Sequence, residues 1–83
     1  MAERTAEEVA RIFKDAGDSV TVINTLAALS SLTDEQKDEI DRNVRHLEII
    51  KAYKKEDGTT SIWTSEYDFT AQDAAVTLGK TKI

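Results

Sequence analysis

The sequence predicts a mainly α fold: a small domain of three to four helices around one long central helix at about 34–56, with an extended segment or short β-hairpin near 59–64. Three observations carry this. The stretch from Thr33 to Gly58 is capped, charged and periodic as a single helix. Apolar residues recur at helical spacing on both sides of it. No linker, internal repeat or low-complexity block divides the chain, so its 83 residues read as one domain, 1–83.

The first helix is expected at about 6–16. Thr5 and Glu8 have the spacing of a capping box, Val9, Ile12, Phe13 and Ala16 form an apolar face, and Gly17 is the expected stop. Ile12 and Phe13 read as core anchors; the competing reading makes this short helix an arm that docks on another subunit. A second helix is expected at about 19–30, capped by Asp18 or Ser19. Its Val20-Thr21-Val22-Ile23 run is β-branched and would suit a strand. A helix is preferred because it places Val22, Ile23, Leu26, Ala27 and Leu29 on one broad face.

The central helix opens with Thr33 as N-cap and Gln36 completing the capping box. Asp34, Glu35, Asp38 and Glu39 complement the dipole at its start, and Lys51, Lys54 and Lys55 do so at its end. Asp38 with Arg42 and Asp41 with Arg45 are spaced as i, i+4 ion pairs. At about 100° per residue, Ile40, Val44 and Leu47 form one stripe with Ile50 at its edge, while Ile49, Ala52 and Tyr53 lie round the other side. Such a helix is expected to be buried on two sides, partly by another chain. Asn43 falls inside the first stripe, where its amide needs either a loop backbone or water at the helix's wetter end, or a second helix to fix in register. His46, the only histidine, falls on the flank.

After Asp57-Gly58, the uncharged run 59–64 has strand-like composition. Trp63, Tyr67 and Phe69 follow as aromatics that either close the core or form an exposed anchor. A last helix at about 71–78 is expected, capped by Thr70 with Asp73 and stopped by Gly79, with a mildly basic tail at 80–83. The candidate interface is therefore Asn43, Ile49, Ile50, Tyr53, Trp63 and Tyr67.

Composition narrows the chemistry. With no cysteine, disulfides, thiol catalysis and thiolate metal sites are excluded. A net charge of −5 argues against recognition of nucleic acid phosphates. A helix-turn-helix reading of the second and central helices fails as well, because the latter opens with acids. Three isolated glycines cannot build a phosphate loop, and the acids of 34–41 lack the spacing of a calcium loop. One histidine without a suitably placed nucleophile assembles no catalytic set. The expectation is a non-enzyme with no cofactor, metal or small-molecule ligand, and with no membrane span. The mixed charges of the first eight residues predict no signal peptide, hence synthesis in the cytoplasm.

The run Asp41-Arg42-Asn43-Val44-Arg45-His46-Leu47-Glu48-Ile49-Ile50, followed by a charged turn, a short extended segment and the small-residue stretch ending at Gly79, resembles small uncharacterised proteins encoded in tailed-phage genomes. The resemblance implies a virion-associated or assembly role and transfers no activity to any residue. The function expected is thus a small structural or interaction protein that binds a protein partner or itself, in a phage setting a minor virion component. The alternative is an acidic regulator that docks a basic protein on the strip Asp34 to Asp41.

Overall fold

The computed structural model describes residues 4–57 and 67–83, and the chain is mainly α. It has three helices, α1 (Ala6–Ala27), α2 (Asp34–Asp57) and α3 (Phe69–Lys82), with each pair in contact. No strand occurs among the described residues. The expected extended segment near 59–64 lies outside them.

α1 begins at the expected capping box. The Glu8 amide donates to Thr5 Oγ1 at 3.2 Å and the Thr5 amide donates to Glu8 Oε1 at 3.3 Å. The two helices expected at 6–16 and 19–30 are one, and Gly17 does not end the first. The reason is burial: Val9, Ala16, Ser19, Ile23 and Ala27 form a continuous stripe facing the other helices on both sides of the glycine. A glycine within a helix costs only about 1 kcal/mol, less than burial of one large aliphatic side chain, about 1.5–3 kcal/mol. The helix ends at Ala27, short of the expected 30, where the Leu29 amide donates to Leu26 O at 3.1 Å.

α2 starts as expected, with Gln36 N donating to Thr33 Oγ1 at 3.1 Å and Thr33 N donating to Gln36 Oε1 at 2.9 Å. Ile40, Val44, Leu47 and Ile50 are buried together with Ala16, Ile23 and Ala75. The lysines that continue this stripe cap its edge against α3: Lys51 Nζ lies 3.0 Å from Asp73 Oδ1, and Lys54 Nζ lies 4.8 Å from the Phe69 ring centroid. The chain alone does not bury α2 on two sides, since Ile49 on the outer side is 49% exposed. Nor is α2 a unique long centre, because α1 has 22 residues to its 24 and packs on both other helices. Of the two expected ion pairs, Asp41 to Arg45 forms at 3.1 Å, whereas Asp38 and Arg42 do not pair.

α3 corrects the sequence at both ends. Its N-cap is Asp68, two residues before Thr70, and the Asp68 carboxylate accepts from the amides of Thr70 (2.9 Å) and Ala71 (3.1 Å). This early start brings Phe69 into edge contact with Phe13 and Tyr67 at 6.0 and 4.8 Å. Gly79 is not a stop, and the expected tail at 80–83 is helical through Lys82. The glycine is there for proximity. A Cβ at this position would lie 2.5 Å from Val44 Cγ2, 3.2 Å from Ile40 Cγ2 and 3.3 Å from Ile23 Cγ2. Any side chain would therefore push α3 off both other helices.

Charge reinforces the antiparallel course of α3 along α2. Asp73 meets Lys51 and Lys80 meets Glu48 at 3.6 Å. Reversing α3 would bring Asp73 toward Glu48 and Lys80 toward Lys51. Each exposed pair is worth little alone, but the reversed alternative is penalised twice.

The two internal glycines should respond oppositely to substitution. Gly79→Leu overfills the three-helix contact and is expected to lower the free energy of unfolding in urea by about 1–3 kcal/mol or more. Gly17→Ala has open space around it and should raise it by about 0.5–1 kcal/mol. A neutral Gly79→Leu would contradict the packing described.

Candidate functional site

Of the six residues expected to form one interface, the five described ones do not share one exposed surface. Asn43 is half-buried, and its Nδ2 donates to Glu39 O at 2.8 Å, one turn back in its own helix. No second helix is needed to satisfy that amide. Ile50 is 1% exposed in the intrachain core, so it is removed from the set. It belongs to the buried cluster that also holds Leu47 and Ala16. Tyr53 is half-buried beneath the Arg4 guanidinium, whose carbon lies 4.2 Å from the ring centroid. Trp63 lies outside the described residues.

Tyr67 closes one end of the bundle. Its ring stacks on Phe13 at 4.8 Å with an interplanar angle of 9°, and its hydroxyl donates to Gln72 Oε1 at 2.9 Å. Burial, and then the neighbouring Asp68 and Asp73 carboxylates, push the phenol above its usual range, because each disfavours a phenolate. Of the five described residues, this leaves Ile49 exposed on the outer face of α2, with exposed Ala52 one turn away.

Two polar contacts that the sequence did not announce hold the helices in register. Gln72 is 1% exposed, yet both ends of its amide are used: Nε2 donates to Leu47 O at 2.9 Å, and Oε1 accepts the Tyr67 hydroxyl. The available signal was positional, since residues 72, 75 and 79 share one stripe of α3 and all three are buried. Ser19 Oγ and His46 Nδ1 share a hydrogen bond of 2.9 Å between α1 and α2. Ser19 lies in the stripe between Ala16 and Ile23 and is buried. The pair links α1 to α2.

The acidic strip has a shape of its own. Thr33, Glu35, Gln36, Asp38, Glu39 and Arg42 line a shallow depression of about 500 Å³ open to solvent. Among the described residues, no three His, Asp or Glu side chains are grouped to hold a metal ion. No helix among them is long and apolar enough to cross a membrane. Comparison with protein-family models, curated proteins and solved structures finds no match to this chain.

The Tyr67 to Gln72 bond predicts two measurements. Because the phenol is raised in the folded state, its contribution to stability is complete below the ordinary tyrosine value of about 10 and is lost as pH rises through the higher folded value. Wild-type stability should therefore fall above about pH 10 more steeply than that of Tyr67→Phe. In a double-mutant cycle, Gln72→Leu and Tyr67→Phe should couple by about 0.5–3 kcal/mol, and strict additivity would show that the bond does not form.

Proposed function

We propose that this chain is a small non-enzymatic structural or interaction protein that works by binding another protein chain. In the setting implied by its resemblance to phage-encoded proteins, it is a minor virion or assembly component, made in the cytoplasm and carried into the particle. The observation that carries this reading is the outer face of α2. Ile49 stands half exposed there beside Ala52, while the stripe on the opposite side already completes the chain's own core. Covering the remaining half of this side chain by a partner gains about half of the 1.5–3 kcal/mol that full burial of an isoleucine is worth.

A second reading rests on the acidic depression at the start of α2. Glu35, Asp38 and Glu39 there would receive a basic segment of a partner protein. Ionic strength separates the two readings. Binding through the depression weakens steeply between low and physiological salt, whereas binding centred on Ile49 keeps its apolar component.

Quantitative mass spectrometry of purified particles tests the virion reading. The chain is expected at a fixed ratio to the major structural proteins, and Ile49→Asp, which leaves the core untouched, should fold normally and be depleted from particles. Recovery of the chain only from the unassembled lysate would overturn the virion role.

A further inference from the structure

We infer that the outer face of α2 is self-complementary and receives a second copy of this chain, laid antiparallel. This rests on the reading of the chain as an interaction protein and names the partner. Opposite the buried stripe of Ile40, Val44, Leu47 and Ile50, helical geometry aligns Asp34, Asp38, Asp41, Arg42, Arg45, Ile49 and Ala52. All are exposed except Asp41, which is half-buried. Their order along the axis is acids, then arginines, then apolar residues.

That order is the argument. A two-fold axis beside the Asp38 to Arg42 stretch lays the Asp34 and Asp38 end of each copy over Arg42 and Arg45 of the other, as an isologous contact requires. A parallel arrangement would set acid on acid and arginine on arginine. Arg42 makes no ion pair within the chain, and neither does Asp38. Arg45 gives its Nε to Asp41 at 3.1 Å but keeps a side chain 75% exposed, which leaves its terminal nitrogens available.

Ile49 extends the same pattern. At 1.5 Å per residue it lies about 10 Å beyond Arg42 along α2. The antiparallel arrangement carries it past the charged pairs toward the other copy's connection between α1 and α2. Leu29, another exposed large aliphatic at 42%, stands in that connection. The same chain thus offers charge for charge and an apolar end for an apolar end.

Sedimentation equilibrium of the full chain tests this with paired charge reversals. The wild type should form a dimer at tens of micromolar in about 50 mM salt and dissociate as salt shortens the Debye length from about 14 Å toward 3 Å at 1 M. Arg42→Glu with Arg45→Glu, and separately Asp34→Lys with Asp38→Lys, should each weaken the dimer by about tenfold or more. Circular dichroism would show that both variants retain their helices. Mixed in equal amounts, the two variants should associate again, because, Asp41 apart, each now carries one sign on this face. A wild type that stays monomeric, a mixture that does not re-form the dimer, or reversals that leave it intact would each overturn the inference. If the chain is monomeric in every arm and Ile49→Asp still depletes it from particles, the self-pairing fails while the interaction role stands.

Discussion

Everything in this bundle depends on how closely α3 can approach the α1–α2 pair. At Gly79 there is no room for even a methyl group between α3 and the side chains of Val44, Ile40 and Ile23. That contact draws Ala75 and Gln72, one and two turns earlier, into the core. Gln72 can then reach a main-chain carbonyl of α2 and hold the Tyr67 hydroxyl, and Tyr67 closes the end of the bundle against Phe13. A helix with few large apolar side chains is thereby docked through proximity, one buried amide, the Phe69 and Val76 contacts and two flanking ion pairs. Packing of this kind is strict about register, because a one-residue slip would replace the glycine with a side chain.

The close approach also decides what is left outside. With α1 and α3 both on the Ile40 to Ile50 stripe, no described residue outside α2 is needed on its opposite side to bury that stripe, and Ile49 and Ala52 stay exposed there. Along that side the acids at the beginning and the arginines in the middle follow the dipole preference only in part. Arg42 and Arg45 lie well before the last turn, where the dipole rewards little. Their position makes better sense as one half of a charge pattern shared between chains.

Legibility in the sequence followed the range of the forces involved. Caps are local, so Thr5 with Glu8 and Thr33 with Gln36 could be paired from spacing alone, and the core stripe of α2 from periodicity. Gly17 and Gly79 were misread because a glycine's local meaning is a stop, whereas here each is decided by tertiary contacts: a stripe that continues past one, and a helix contact that requires the other. Lys51 and Lys54 are legible only as complements of the helix dipole, because their partners Asp73 and Phe69 belong to a helix about twenty residues away. Of the candidate interface, Ile49 was legible from azimuth alone, while Ile50, close to it in sequence, needed knowledge of how far α1 and α3 wrap. The bond from Ser19 to His46 and the buried Gln72 were invisible for the same reason.

The central claim is that the outer side of α2, and no other part of the bundle, is the working surface. Backbone amide chemical shifts followed over a dilution series, and on addition of any partner, test it most directly. Shifts confined to Asp34, Asp38, Arg42, Arg45, Ile49 and Ala52, with Val44, Leu47 and Gln72 unmoved, are the predicted result. Shifts centred on α3, or none at any concentration or with any partner, would contradict it.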